Sequence, residues 1–84
     1  MPLFMDVHDT IPDGATAADV AQAHAEDLRV QGRHGVDFRR YWVDEVNGKV
    51  FCLVEAPDAE AATAVHKEAH GLLADHTYPV VEGS

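Results

Sequence analysis

Turn-forming residues divide this chain of 84 residues into segments, and the order of those segments limits its fold more than any other feature. Two segments have the apolar period of a helix, and four short runs rich in β-branched and aromatic residues have the character of strands. The predicted strands are residues 3–8, 36–43, 50–55 and 75–81, and the predicted helices run from a cap at residue 16 to about 31 and from a cap at residue 58 to 71.

An Asn-Gly pair in the segment VNGK, residues 46–49, separates the second and third predicted strands. Both residue types accept the positive φ angles of a tight turn, so the pair predicts a β-hairpin. The complete order is then βαββαβ, which in one sheet corresponds most simply to a ferredoxin-like fold. We therefore expect an α+β protein, a single domain over residues 1–84, with two helices on one face of an antiparallel sheet.

The third predicted strand is apolar on both of its faces. Alternation places Val50, Cys52 and Val54 on one face, and Phe51 and Leu53 on the other. Because the two helices can cover only one face of the sheet, the second apolar face would be exposed in a monomer. A face-to-face homodimer is therefore expected, and it would also help a chain too short to bury a large core.

The charge of the chain limits its partners. Fifteen acidic and six basic residues give a formal charge of −9, which repels phosphate backbones and anionic lipids. No nucleic acid and no membrane partner is therefore expected, whereas divalent metal ions are good candidates. We find no signal-peptide pattern and no apolar run of roughly 18 residues, which predicts a cytoplasmic protein. No nucleophile, phosphate-loop or HExxH motif occurs, so no enzyme activity is expected.

Three of the six histidines lie in the stretch AVHKEAHGLLADH, residues 64–76. The predicted buried stripe of this helix consists of Ala61, Ala62, Val65 and Ala69. Helical geometry places His66 and His70 together on the flank of that stripe, one turn apart, where they could chelate one metal ion. The simpler alternative is that both side chains only interact with the helix dipole and the last carbonyl groups.

The remaining histidines are placed by the same geometry. The predicted buried stripe of the first helix consists of Ala17, Val20, Ala21, His24, Leu28 and Gln31. His24 is expected to point inward, by default as a core histidine bonded to a backbone carbonyl. The topology is expected to gather His8, His70 and His76 at one end of the domain, together with Asp9 and Asp75. Cys52 is expected to be a small buried hydrophobe, and His34 is given no role.

Four segments, MDVH, AHAEDL, YWVDEVNGKVFCLVEAPDAEAA and AVHKEAHGLLAD, together resemble a family of small bacterial nickel-binding proteins of otherwise unknown function. The resemblance covers nearly the whole chain and implies a ferredoxin-like homodimer that sequesters nickel, or a similar divalent ion such as copper or zinc. The histidines that match its pattern are His8, His24, His66 and His70. These four are the expected metal ligands, an assignment that rests mainly on the geometry above. Cys52 and Glu55 match as well, whereas His76 departs from the pattern.

Two other classes of function stay open. A dimeric α+β barrel enzyme or small-ligand-binding protein would have a pocket between sheet and helices, lined by His24, Tyr41, Trp42 and Cys52. A structural or regulatory dimerisation module would need no small ligand. Metal in stoichiometric amount in the purified protein would favour the metal-binding hypothesis, and a well-formed apolar cavity without metal would favour the pocket.

Overall fold

Six elements of secondary structure form in the predicted order. They are given by a computed structural model that describes residues 1–83, so the last residue of the predicted domain, Ser84, lies outside the described residues. The strands are β1 (Leu3–His8), β2 (Asp37–Asp44), β3 (Lys49–Glu55) and β4 (His76–Val80), and the helices are α1 (Ala17–Val30) and α2 (Ala59–Ala69). A short 3-10 helix, Gln31–His34, follows α1 directly.

The four strands form one sheet in the order β2-β3-β1-β4. All neighbouring strands are antiparallel, and the two helices pack on one face. This is the α+β ferredoxin-like arrangement, so the predicted fold is confirmed. Neither helix within residues 1–83 is long and apolar enough to cross a membrane.

The core lies between the sheet and the helices. Its buried apolar residues are Val30, Val36, Phe38, Val50, Cys52, Val54, Ala56, Ala62 and Val65. Phe51 and Leu53 alternate with this set along β3 and are only partly buried, because their side of the sheet carries no helix. We call that side the bare face. Cys52 is buried, as predicted, and it is a free thiol.

The hairpin between β2 and β3 differs from the predicted tight turn. The last pair of the two strands is Asp44 with Lys49, which leaves a loop of residues 45–48. The Asp44 carboxylate closes this loop by accepting hydrogen bonds from the backbone N–H groups of Val46 and Asn47, at 3.1 and 3.0 Å. Only Gly48 has a positive φ here, +70°, and no non-glycine residue of the described chain has one. The positive φ predicted for Asn47 is therefore wrong.

Strand β2 carries a bulge at Arg39, since Phe38 pairs with Val54 and Arg40 with Leu53. The extra residue lets Phe38 point into the core while Tyr41, opposite Cys52, also faces the helices. Trp42 consequently lies on the bare face and is 48 % exposed. The hypothesis that Trp42 lines a pocket between sheet and helices is wrong.

Helix α1 begins as predicted but faces the sheet with a different stripe. Thr16 and Asp19 form a capping box in which each side chain accepts from the other residue's backbone N–H. The fully buried residues of α1 are Asp27 and Val30, whereas Leu28, predicted to be buried, is 46 % exposed. Compared with the predicted orientation, α1 is turned so that Asp27 faces inward. Its carboxylate binds His66 in α2 and His70 at the end of α2.

Candidate metal centre

His66 lies at the centre of a buried chain of charged side chains. Only 2 % of its surface is exposed. Its Nε2 lies 2.8 Å from Asp6 Oδ2 on β1, and its Nδ1 lies 2.9 Å from Asp27 Oδ1 on α1. The predicted position of His66 on the flank of α2 is therefore wrong. The ring points into the core, where it also packs on Phe38 with 4.6 Å between ring centroids.

The protonation of this chain follows from its contacts. Burial by itself would lower the pKa of His66, but the hydrogen bonds to Asp27 and Asp6 outweigh it and raise the pKa to about 9. Burial would raise the pKa of Asp6, yet the contacts with His66 and His8 lower it to about 2. The pKa of Asp27 is lowered in the same way, by His66 and His70 against burial. At neutral pH an imidazolium thus donates to two carboxylates, which can only accept.

His70 brings a second imidazole to Asp27. It is the residue that ends α2, and its Nε2 lies 3.0 Å from Asp27 Oδ1. Its Nδ1 accepts a hydrogen bond from the backbone N–H of Leu72, at 3.0 Å. Because Nδ1 accepts, the proton of the neutral ring is on Nε2 and is donated to Asp27. One carboxylate oxygen thereby holds two histidine nitrogens; we call Asp27, His66 and His70 the cleft group.

A second set of possible metal ligands shares His66. Asp6, His8, Cys52 and His66 offer ligand atoms that all lie within 4.8 Å of one another, and all four residues are buried. We call this set the inner group. His8 Nε2 is 3.5 Å from Asp6 Oδ1, and this oxygen has no hydrogen-bond partner within residues 1–83. Burial and the neighbouring carboxylate of Asp6 raise the pKa of the Cys52 thiol, so the thiol keeps its proton.

A cleft of about 340 Å³ opens beside both groups, between α1, the sheet and the segment that follows α2. All four histidines predicted as ligands line it: His8, His24, His66 and His70. His24 is half-buried and packs on Tyr41 with 4.6 Å between ring centroids. Its Nδ1 is buried and has no hydrogen-bond partner in the described chain, so the predicted bond to a backbone carbonyl is wrong. Burial lowers the pKa of His24 more than nearby Asp27 raises it.

The cleft group fits a divalent transition metal. Imidazole nitrogen and carboxylate oxygen are ligands that suit nickel, copper and zinc. Asp27 Oδ1 is 2.9 Å from His66 Nδ1 and 3.0 Å from His70 Nε2. On the far side of the His66 ring, Asp6 Oδ2 lies 2.8 Å from His66 Nε2, where a carboxylate commonly orients a metal-binding imidazole.

Comparisons with known proteins agree with the fold. The sequence profile of a family described as nickel responsive protein SCO4226-like matches residues 4–80. This chain belongs to that family. The crystal structure of SCO4226 from Streptomyces coelicolor A3(2) is similar to it with a TM-score of 0.88 and 39 % sequence identity, over 98 % of this chain and 99 % of that chain. None of the curated proteins matches this chain.

The predicted gathering of His8, His70 and His76 in this family member holds only in part. His8, His70 and Asp75 line the cleft. His76 pairs with Val7 on the neighbouring strand, and since His8 follows Val7, strand alternation puts His76 and His8 on opposite faces of the sheet. His76 binds Asp9 at the surface, with 2.8 Å between Nε2 and Oδ2. It lies outside both groups.

Sequence reasoning missed the two carboxylates that hold the site together, Asp6 and Asp27. The signal was present in the chain. Asp6 and His8 are two residues apart on one strand and therefore share a face. His24 and Asp27 are three residues apart on one helix and share a side. His34, which was given no role, contacts Glu68 at 3.5 Å on the other side of α2 and takes no part in the site.

Proposed function

We propose that this protein binds a divalent transition metal, nickel by preference of its family, at Asp27, His66 and His70. The convergence of the three side chains, with two nitrogens within 3.0 Å of one carboxylate oxygen, supports this assignment most strongly. The name of the family supports the choice of nickel. The metal is cargo, held for sequestration or homeostasis in the cytoplasm, and no reaction is assigned to the site.

Binding requires that two protons move. His66 gives up the proton on Nδ1 and keeps the proton on Nε2, which it donates to Asp6. In His70 the proton moves from Nε2 to Nδ1. Nδ1 can then no longer accept the hydrogen bond that the N–H of Leu72 donates to it in the structure. The segment 71–75 has no regular structure, so it can release that hydrogen bond at small cost. Metal affinity is therefore coupled to pH and to the position of this segment.

The cleft group is the better site of the two. An ion in the inner group would have to remove the proton of Cys52 and shed its water in a place where all four residues are buried. His70 is partly exposed and gives the cleft group an entrance from the cleft. We assign His8 to the support of Asp6, and we keep His24 as a further ligand that would join after a rotation of its ring. The ligand roles of His8 and His24 stay predictions.

We also propose that the protein is a homodimer joined through the bare face. Trp42 and Tyr78 on this face are 48 % and 51 % exposed. Cross-strand pairs place the side chains of Leu3, Met5 and Leu53 on the same side. Exposed apolar side chains gathered on one face of a sheet, here together with Arg40, favour a self-association interface over contact with water. The cleft lies on the opposite side of the sheet, so each subunit would keep its own site.

A small-ligand-binding function is the second candidate, and the cleft itself favours it. His24, Tyr41 and Cys52, three of the four residues predicted to line such a pocket, do line the cleft. The two candidates make different demands on the protein, because only the first requires stoichiometric metal.

Calorimetric titration of tag-free, metal-free protein with nickel, copper, zinc and cobalt tests the proposal. We expect one ion per chain at about pH 7.5, and an affinity for nickel at least tenfold lower in His70→Ala, since one of three ligands is lost. The matched control is His34→Ala, a histidine outside both groups, which should bind as the wild type does. Unchanged affinity in His70→Ala would refute the cleft group as the site.

A further inference from the structure

The cleft is much larger than a metal ion requires. The cleft has a volume of about 340 Å³, which is many times what a single water molecule needs. The cleft group supplies three ligand atoms, whereas nickel takes four to six. Further coordination positions would therefore be filled from the cleft.

Part of the cleft wall is apolar. Ile11, Val20, Leu72 and Leu73 belong to it. The two leucines lie two and three residues after His70 and are 45 % and 47 % exposed. Water bound to a metal gains nothing from such a wall, whereas an apolar group placed there would remove these side chains from water.

The charge of the cleft selects among such groups. Asp19, Asp27 and Asp75 line it, and no lysine or arginine of residues 1–83 does. A complex of a divalent metal with a singly charged chelator keeps one positive charge and suits these carboxylates. A complex with a polycarboxylate chelator is anionic and would be repelled.

We propose that the cleft takes its metal together with a small organic co-ligand, a bidentate amine-carboxylate chelator of the amino-acid type that carries an apolar side chain. The metal holds the amine and the carboxylate, and the side chain lies against Leu72 and Leu73. This inference rests on the proposed metal site and adds the chemical class of the cargo to it.

Phenylalanine and glycine form a matched pair of probes, because they bind nickel through the same two atoms and differ only in the benzyl group. Equilibrium dialysis of each isotope-labelled amino acid against nickel-loaded protein measures its retention. We expect phenylalanine to be retained about tenfold more tightly than glycine, the ratio that corresponds to burying much of one apolar side chain. Neither should be retained without nickel, and nickel citrate should not carry citrate into the protein.

The variant Leu73→Ser tests the apolar wall. It should reduce the preference for phenylalanine over glycine to about threefold or less, because about half a leucine side chain is no longer covered. Leu28→Ser is the control, since Leu28 is 46 % exposed, as Leu73 is, but lies on α1 outside the cleft. Dividing the retention of phenylalanine by the retention of glycine in the same variant cancels any change in the affinity for nickel itself.

The outcomes separate the two proposals. Nickel bound without any preference for phenylalanine, or with equal retention of citrate, overturns the co-ligand and leaves the metal site intact. An unchanged preference in Leu73→Ser also overturns it. Phenylalanine retained equally without nickel shows a pocket that does not use the metal, which contradicts the co-ligand as well. If no nickel binds under any of these conditions, the proposed function itself has failed.

Discussion

His66→Phe is the change that most sharply tests the buried chain of charges. Phenylalanine keeps a ring of similar size beside Phe38, but it removes both N–H donors and leaves the carboxylates of Asp6 and Asp27 buried without their partner. Breaking a buried ion pair in this way costs about 3–5 kcal/mol. At 0.05–0.15 kcal/mol per residue, a chain of this length has about 4–13 kcal/mol of stability in total. The variant should therefore lose about a quarter of it or more.

Chemical denaturation in urea with a chelator present, followed by circular dichroism, measures this loss. The pH dependence identifies its cause. Without His66 the two buried carboxylates have raised pKa values, so proton uptake stabilises the folded variant. The free energy of unfolding of His66→Phe should rise as the pH falls from about 6 to about 5, where the contribution of His66 to the wild type is already nearly complete and no longer changes much.

Two further variants complete the test. The triple variant Asp6→Asn, Asp27→Asn, His66→Phe removes the unpaired charges and should recover about 2 kcal/mol relative to His66→Phe. The control His34→Phe changes a histidine with one contact at 3.5 Å and should cost less than about 1 kcal/mol. A loss in His66→Phe below about 1 kcal/mol, or one that does not change with pH, would refute the reasoning.

Three other expectations can be checked directly. Without metal, the wild type should lose about 3 kcal/mol of unfolding free energy between about pH 6.5 and 9. The pKa of His66 is raised to about 9 in the folded protein, which therefore holds this proton more tightly than the unfolded chain does. The resulting stability is complete below the ordinary pKa of histidine, about 6.5, and is lost as the pH rises to about 9 and the ring deprotonates. A flat profile in urea denaturation would contradict this. Sedimentation should give a dimer at twice the 9.1 kDa of one chain. Leu53→Glu on the bare face should produce the monomer, whereas Val46→Glu in the exposed hairpin loop should leave the dimer intact. A wild-type monomer would exclude the interface. Cys52 should react with a thiol reagent only after unfolding, because the thiol is buried and its pKa is raised; rapid labelling of the native protein would show that the core is open.

The sequence was sufficient to predict the elements and their order, since strand alternation and turn residues act locally. The strand β1 has the predicted bounds, Leu3–His8, and the capping box at Thr16 forms as its spacing indicates. The hairpin was predicted in the right place with the wrong turn, because the side chain of Asp44 closes a longer loop. Local signals thus fixed the fold and left details of the connections open.

The centre of the site could not be predicted in the same way. Helical periodicity treats aspartate as exposed, so Asp27 was overlooked and Leu28 was placed in the core instead. His66 was placed on a flank because its own helix offers no reason for it to be buried. Its partners lie 60 residues away on β1 and 39 residues away on α1. Only the packed tertiary structure shows that one imidazolium lies between two carboxylates there.

Anomalous diffraction at the nickel absorption edge, from crystals of the nickel-loaded protein, tests the proposed function most directly. We expect one anomalous peak per chain, within bonding distance of Asp27 Oδ1, His66 Nδ1 and His70 Nε2, with the hydrogen bond between His70 and the N–H of Leu72 broken. Peaks found only at surface residues such as His76 and Asp9, with Asp27, His66 and His70 still bonded to one another, would contradict the proposal.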